Sequence, residues 1–269
     1  MALWMAWWDA IGLLRPAFSR KRSFLWFALA VAGLSVRTES LGVTSIVRAL
    51  KLRPALYNKL RNGLHSHAVQ LDGLSALWTQ AVLHLFPEPL RVHGRRVLVG
   101  DGIKVAKYGR KMPGVKRLRQ QSDTKPPYIM GHSLQAVSLL VHAAHSVFAV
   151  PLAMRIHEGL VWSNRDRRTL LDRMILLLGI VSVKEPFYFV ADAYYAARKT
   201  IKGLRDQDNH LVTRVKSNAV AYAPYVQQGP RKRGRPRIYG AKIQLRSLLD
   251  DPRSFQSAPS PVYGAMALP

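Results

Sequence analysis

No cysteine occurs in the 269 residues, so disulfides and thiolate zinc sites are excluded and nothing in the chain calls for an oxidising compartment. Acids are few as well: 15 Asp and Glu face 41 Lys and Arg, for a formal charge of +26 and a pI near 11.1. That imbalance is foreign to an ordinary charge-balanced soluble enzyme and points to a polyanionic partner, nucleic acid ahead of an anionic membrane. A membrane-length apolar run is also missing. The strongest candidate, Phe24 to Leu34, is about half of the roughly 20 residues that a span requires. It reads as a buried helix; a signal peptide would carry its basic cluster at the start, whereas Arg20-Lys21-Arg22 follows a long Trp-rich lead. No internal repeat is found, and 48% hydrophobic content suffices for a core in one large domain or two ordinary ones.

What the chain does have is one device used twice. Arg96-Val97-Leu98-Val99-Gly100-Asp101 and Phe187-Tyr188-Phe189-Val190-Ala191-Asp192 are apolar, β-branched and aromatic runs that each end in a carboxylate. Each reads as a buried strand delivering an acid to its C-terminal edge. Side by side, they would bring Asp101 and Asp192 within reach of one hard divalent cation such as Mg²⁺ (or Mn²⁺), which takes carboxylate oxygens and keeps several waters. That geometry suits metal-assisted phosphoryl transfer. Taken singly, each acid also has a structural reading: Asp101-Gly102 is a good hairpin turn, and Asp192 a good cap for the helix that follows.

Residues 1 to about 90 read as helical. Thr44 to Leu50 is one short helix and Pro54 to Arg61 a second, with Pro54 suited to a first helical turn and Lys51-Leu52-Arg53 as the connection. Two short helices, a tight turn and a basic second helix suggest a helix-turn-helix whose groove-facing residues would be Arg53, Tyr57, Asn58, Lys59 and Arg61; a bundle that binds nothing is the plain alternative. Pro87-Glu88-Pro89 marks a break, and a domain boundary is expected there. The expected division is a helical DNA-binding domain over 1–90, a catalytic α/β domain over 95–220, and a basic insertion-like segment with an irregular tail over 221–269.

After Asp101, the alternation of Gly102 to Tyr108 suggests a second strand hairpinned to the first. Between 102 and 119 stand Lys104, Lys107, Arg110, Lys111, Lys116, Arg117 and Arg119, with no acid among them, an electrostatic footprint beside the first carboxylate. Gln135 to Val141 and Val147 to Leu152 read as further strands. The apolar stripe from Leu170 to Val181 reads as a helix covering the sheet. A helix from Tyr194 to Gly203 and a strand from His210 to Val215 follow the second acid, and after Lys216 the composition turns to loop. Strands and helices in this order belong to the α/β class, and an Asp on the first and fourth strands matches the RNase H-like fold.

Val97 to Gly102, Gly131-His132-Ser133, Tyr188 to Tyr195 and Val212 to Asn218 together resemble the DDE transposases of bacterial insertion sequences. The resemblance covers about 95 to 250, and the helical front end is similar to that family's DNA-binding region. It implies that Asp101 and Asp192 are the first two metal-binding acids, that Arg214 and Lys216 lie beside DNA, and that the substrate is the terminal inverted repeat of a mobile element in the bacterial cytoplasm, at the nucleoid, with no membrane partner. A homodimer on DNA is left open. The family's third acid, a Glu on a later helix with Tyr, Arg and Lys neighbours, has no counterpart here: the only acids after 210 are Asp250 and Asp251, in a turn-like context. The ending therefore reads as truncated or frame-shifted, and the chain is expected to bind DNA but cleave it poorly.

Arg231, Lys232, Arg233, Arg235 and Arg237 surround a Gly-Arg-Pro core that resembles the AT-hook, in which a narrow Arg-rich segment enters an A·T minor groove. A general phosphate-contacting loop and a localisation-type signal are its rivals. The histidines of the pairs His142/His145 and His65/His67 read as structural, and Trp4, Trp7 and Trp8 as helix packing.

Overall fold

The computed structural model describes all residues except 1, 40–41, 108, 110–111, 121–123, 125, 144, 158–167, 228–233, 235–236, 251–252, 254–257, 261–263 and 269. The chain divides into two compact units, Met1–Val212 and Thr213–Pro269.

The front of the first unit is a stack of helices: α1 (Ala2–Gly12), α2 (Lys21–Val36), α3 (Val43–Ala49), α4 (Leu56–Leu64) and α5 (Leu71–Leu85). Ile11, Leu14, Phe18, Phe24 and Ala28 form one small core, and Ala30, Ile46 and Leu60 another. The apolar run at Phe24–Leu34 lies inside the 16-residue α2, and no helix among the described residues is long and apolar enough to cross a membrane. The short helix pair is α3 and α4, but Pro54 precedes α4, whose cap is Ala55; Pro54 forms the connecting turn through its carbonyl, which accepts from Tyr57 N.

Behind the helices stands a seven-stranded mixed sheet built from β1 (Arg91–Val92), β2 (Arg95–Ala106), β3 (Lys116–Arg119), β4 (Tyr128–Ala143), β5 (Ser146–His157), β6 (Phe187–Ala191) and β7 (His210–Val212). Its path runs β4, β2, β6, β7, with β3 and β5 both on the outer edge of the long β4. β2 pairs antiparallel with β4 and parallel with β6, the RNase H-like arrangement. Two helices return the chain between parallel strands: α6 (Leu170–Val181) before β6 and α7 (Arg198–Arg205) before β7. The core lies on one face, where Leu98, Val137, Leu139, Phe187 and Phe189 meet Met174, Leu177 and Leu178 of α6 and Val82 of α5.

The expected hairpin at Asp101-Gly102 does not form. β2 runs straight through both residues, because β4 continues the ladder past them, Asp101 opposite Ala136 and Gly102 opposite Gln135. The tight turn lies instead at His93-Gly94, where both residues have positive φ (47° and 76°) and connect β1 to β2. The helix expected from Tyr194 to Gly203 is interrupted: a single 3₁₀ turn spans Ala193–Tyr195, and α7 starts at Arg198. β7 is shorter than its apolar pattern suggested and ends at Val212. In the second unit, where composition read as loop, β8 (Val220–Pro224) pairs with β9 (Tyr239–Gln244), and β10 (Ala258–Ser260) with β11 (Gly264–Leu268).

Pro151 sits within β5 beside a bulge at Leu152, which has no partner between the Val137–Ala153 and Ser138–Pro151 couples, and the Pro151 carbonyl accepts from Trp78 Nε1 at 2.8 Å. That bond ties α5 to the sheet, so the helices and the sheet share one unit. At the other end of the sheet, Arg91 and Arg96 both bond Glu185, Arg95 bonds Asp208, and Asn209 Oδ1 accepts from Phe187 N, bracing β2 against β6 and β7.

Two substitutions test this frame. A Cβ at Gly100 would overlap the Phe189 ring, which packs there against Met174. Gly100→Ala should therefore lower stability by about 1–3 kcal/mol in denaturant titration. α6 begins with a capping box in which Thr169 and Asp172 satisfy each other's backbone, and Asp172 also accepts from Lys199 at 2.9 Å. The Lys199 hydrogen bond and then the Thr169 N–H hold the Asp172 carboxyl down to about 2, from an ordinary 3.8. A carboxyl depressed on folding stabilises above its unfolded pKa and loses that contribution as pH falls through the folded value. Asp172→Asn should cost about 1 kcal/mol at neutral pH, a deficit that shrinks between pH 4 and 2 in paired thermal melts.

Candidate active site

The parallel pairing of β2 with β6 positions the two acids. Arg96 faces Phe187, Leu98 faces Phe189 and Gly100 faces Ala191, the last pair of that ladder. Asp101 is the next residue of β2, and Asp192 directly follows β6 with its backbone still extended. Since adjacent strands lie ~4.8 Å apart and side chains alternate between faces, both acids project from the same face at neighbouring positions. They share that face with Val97, Val99, Tyr188 and Val190, opposite the helix-covered core.

Each carboxylate is oriented by nearby backbone. Asp101 Oδ1 accepts from Gly102 N at 2.6 Å, and Asp192 Oδ1 accepts from Tyr194 N at 3.1 Å, capping the short turn that follows β6. The structural reading of Asp192 as a cap and its reading as a site residue therefore coexist. Both acids are exposed, as metal or substrate binding requires.

Behind them sits a polar pair that sequence reasoning missed. Tyr195 is 2% exposed, wedged between Phe189 and Tyr194, and its hydroxyl accepts from Gln135 Nε2 at 2.9 Å. Gln135, also 2% exposed, donates from the same nitrogen to Leu170 O at the start of α6. Burial, and then the Asp101 and Asp192 charges, raise the Tyr195 hydroxyl to about 12 against the lowering effect of the Gln135 bond. A single tyrosine thus senses both carboxylates and stays protonated. The only sequence signal for Gln135 was a lone amide at the head of an apolar strand.

The basic residues expected beside the first acid divide. Lys104 and Arg119 line an open groove of about 440 Å³ with Gly102 and Gln120, and Lys104 Nζ donates to Arg119 O at 2.6 Å. Arg117 lies over the Tyr128 ring, 4.1 Å from its centroid. Lys116 is half-buried, and burial followed by the Arg173 charge lowers its pKa. Lys107 is half-buried, while Arg110 and Lys111 fall outside the described residues. On α4 and its lead-in, Arg53, Asn58, Lys59 and Arg61 are exposed and Tyr57 is half-buried. Arg214, Lys216 and Arg237 are exposed in the second unit; Arg231, Lys232, Arg233 and Arg235, and with them most of the AT-hook-like segment, fall outside the described residues.

Two exposed carboxylates are the donor type that a hard divalent cation retaining much of its hydration shell takes. No group of three or more His, Cys, Asp or Glu gathers elsewhere, or here, among the described residues.

A mixed sheet whose path runs β3, β4, β2, β6, β7, with β2 and β6 parallel neighbours, defines an RNase H-like fold. The family model for DDE superfamily endonucleases matches residues 13–260, and the chain belongs to that family, whose members generally use divalent metals. It is similar to a piggyBac transposase solved by cryo-EM in a synaptic complex with hairpin DNA, at 12% identity and a TM-score of 0.40, covering 81% of this chain and 46% of that one. This chain thus spans less than half the length of that transposase. No curated protein matches the sequence.

Removing the tyrosine hydroxyl should leave the ring packing intact and cost about 0.5–1.5 kcal/mol. Tyr195→Phe would show this in chemical denaturation; a loss beyond about 3 kcal/mol would mean that the hydroxyl supports more than the Gln135 bond.

Proposed function

We propose that the chain is a transposase-type endonuclease that binds duplex DNA, with the terminal inverted repeats of a mobile element as its substrate, and that Asp101 and Asp192 hold Mg²⁺ or Mn²⁺ for phosphodiester chemistry. The observation that carries this reading is the shared position of the two acids, one step beyond the Gly100–Ala191 pair. Family membership and a net charge of +26 support it. A divalent cation bound there would activate an oxygen nucleophile and stabilise the leaving oxygen. The chain's own part is to orient two carboxylates through Gly102 N and Tyr194 N, and to offer Lys104 and Arg119 to phosphate oxygens nearby. The exposed cations of α4 would make a separate duplex contact, as would Arg214, Lys216 and the basic segment around Gly234.

A second reading is a DNA-binding protein that occupies transposon ends without cutting. It is favoured by the absence of a third ligating side chain at the acid pair among the described residues. Metal binding and cleavage separate the two. In titrations of the DNA-bound protein with Mn²⁺, binding should be weak and should disappear in Asp101→Asn and Asp192→Asn. Nicking of supercoiled plasmid in Mg²⁺ should be slow at most. Robust nicking abolished by Asp192→Asn would show that two acids suffice; metal binding that survives both substitutions would remove the pair from the site.

A further inference from the structure

Helix α7 begins six positions after Asp192 (198 minus 192), attached through the turn that Asp192 caps. Its two sides differ sharply. Thr200 and Leu204 are buried at 0% and 1% exposure, and a Cβ on Gly203 would lie 3.0 Å from Ile175 Cγ1, so this side is pressed against α6. With that side fixed, Arg198, Lys202 and Arg205 fall at i, i+4 and i+7 and form one exposed row. With Ile201 and Asp206 they line a shallow groove of about 390 Å³.

The helix Arg-Lys-Thr-Ile-Lys-Gly-Leu-Arg carries four cations and no acid. Lys199 is taken up by Asp172 at 2.9 Å and Lys202 by Asp206 at 2.6 Å. Arg198 and Arg205 have no carboxylate partner among the described residues. Both guanidinium groups stand exposed on a helix whose other side is fixed against α6. Their Cα separation along the axis is about 10 Å at 1.5 Å per residue. That separation is enough for the two guanidinium groups to reach different phosphates of one strand rather than the same one. Guanidinium groups are also the side chains best shaped to grip phosphate oxygens.

We propose that the Arg198–Lys202–Arg205 face of α7 is a binding track for a DNA phosphodiester backbone, continuous with the acid pair through the Asp192 turn. Lys202 exchanges Asp206 for a phosphate when DNA is present. The inference rests on the DNA-binding reading above and adds a contact surface that no sequence motif marked.

The test is the salt dependence of binding to a mixed-sequence DNA duplex, measured by fluorescence anisotropy on the full chain. Arg198→Gln/Arg205→Gln should reduce the slope of log affinity against log salt by about 1.8, two contacts at about 0.9 each, and weaken binding about tenfold or more, with an unchanged thermal melt. A control that removes the same charge on α2 of the helical front, Lys21→Gln/Arg22→Gln, should leave the slope within about 0.5 of the parent. An unchanged slope in the α7 variant, while the parent binds DNA, overturns the track and leaves the DNA reading standing. An equal fall in the control also overturns it, because bulk charge would then explain both. A parent chain that shows no salt-dependent DNA binding overturns the track together with the function proposed above.

Discussion

The structure depends on the register in which β2 and β6 pair. Five consecutive couples from Arg96–Phe187 to Gly100–Ala191 hold two strands that are 91 residues apart in sequence (192 minus 101 for the acids), and a slip by one residue would send either carboxylate to the covered face. Register is enforced on the core side, where Leu98 and Phe189 are fully buried and Gly100 leaves the space the Phe189 ring occupies. It is enforced again at the strand starts, by Glu185 between two arginines and Asn209 on the Phe187 amide. The exposed pairs among these contribute little energy each. Their effect is geometric, since they sit where β2 enters the sheet and leave fewer alternatives for its alignment.

The scarcity of acids gives the remaining ones distinct work. Asp72 holds Arg155 of β5, Asp172 starts α6, Glu185 and Asp208 brace β2, and Asp206 engages Lys202. Asp101 and Asp192 are exposed and each accepts from a backbone N–H, of Gly102 and Tyr194. The buried Tyr195–Gln135 pair extends this arrangement inward, linking the floor of the acid pair to the first residue of α6.

Legibility in the sequence followed the range of the forces involved. The two acid-bearing strands and the covering helix were readable because an apolar run or a 3.6-residue stripe is a local pattern. The Asp101-Gly102 hairpin was misread because a favourable local turn pair was outweighed by nine consecutive couples with β4, from Leu98–Leu139 to Ala106–Gly131, which no local pattern announces. The real turn, His93-Gly94, carries a weaker local signal. The two-stranded sheets after Thr213 were missed for the converse reason: short strands among Pro, Gly and basic residues have too few apolar positions to stand out, and pairing is what defines them. The α7 face was overlooked because its eight residues read as a continuation of the Tyr194 helix.

By itself the sequence determined the charge, the absence of thiol chemistry, the α/β order of elements and the identity of two candidate acids, because each of these is written in residue type or in short-range periodicity. Only the tertiary structure decided that those acids stand side by side on one face, that a buried tyrosine lies behind both, and that a row of cations leads away from them. Those outcomes depend on pairing between strands far apart along the chain and on which side of α7 is pressed into α6, and such long-range contacts leave no fixed spacing in the sequence.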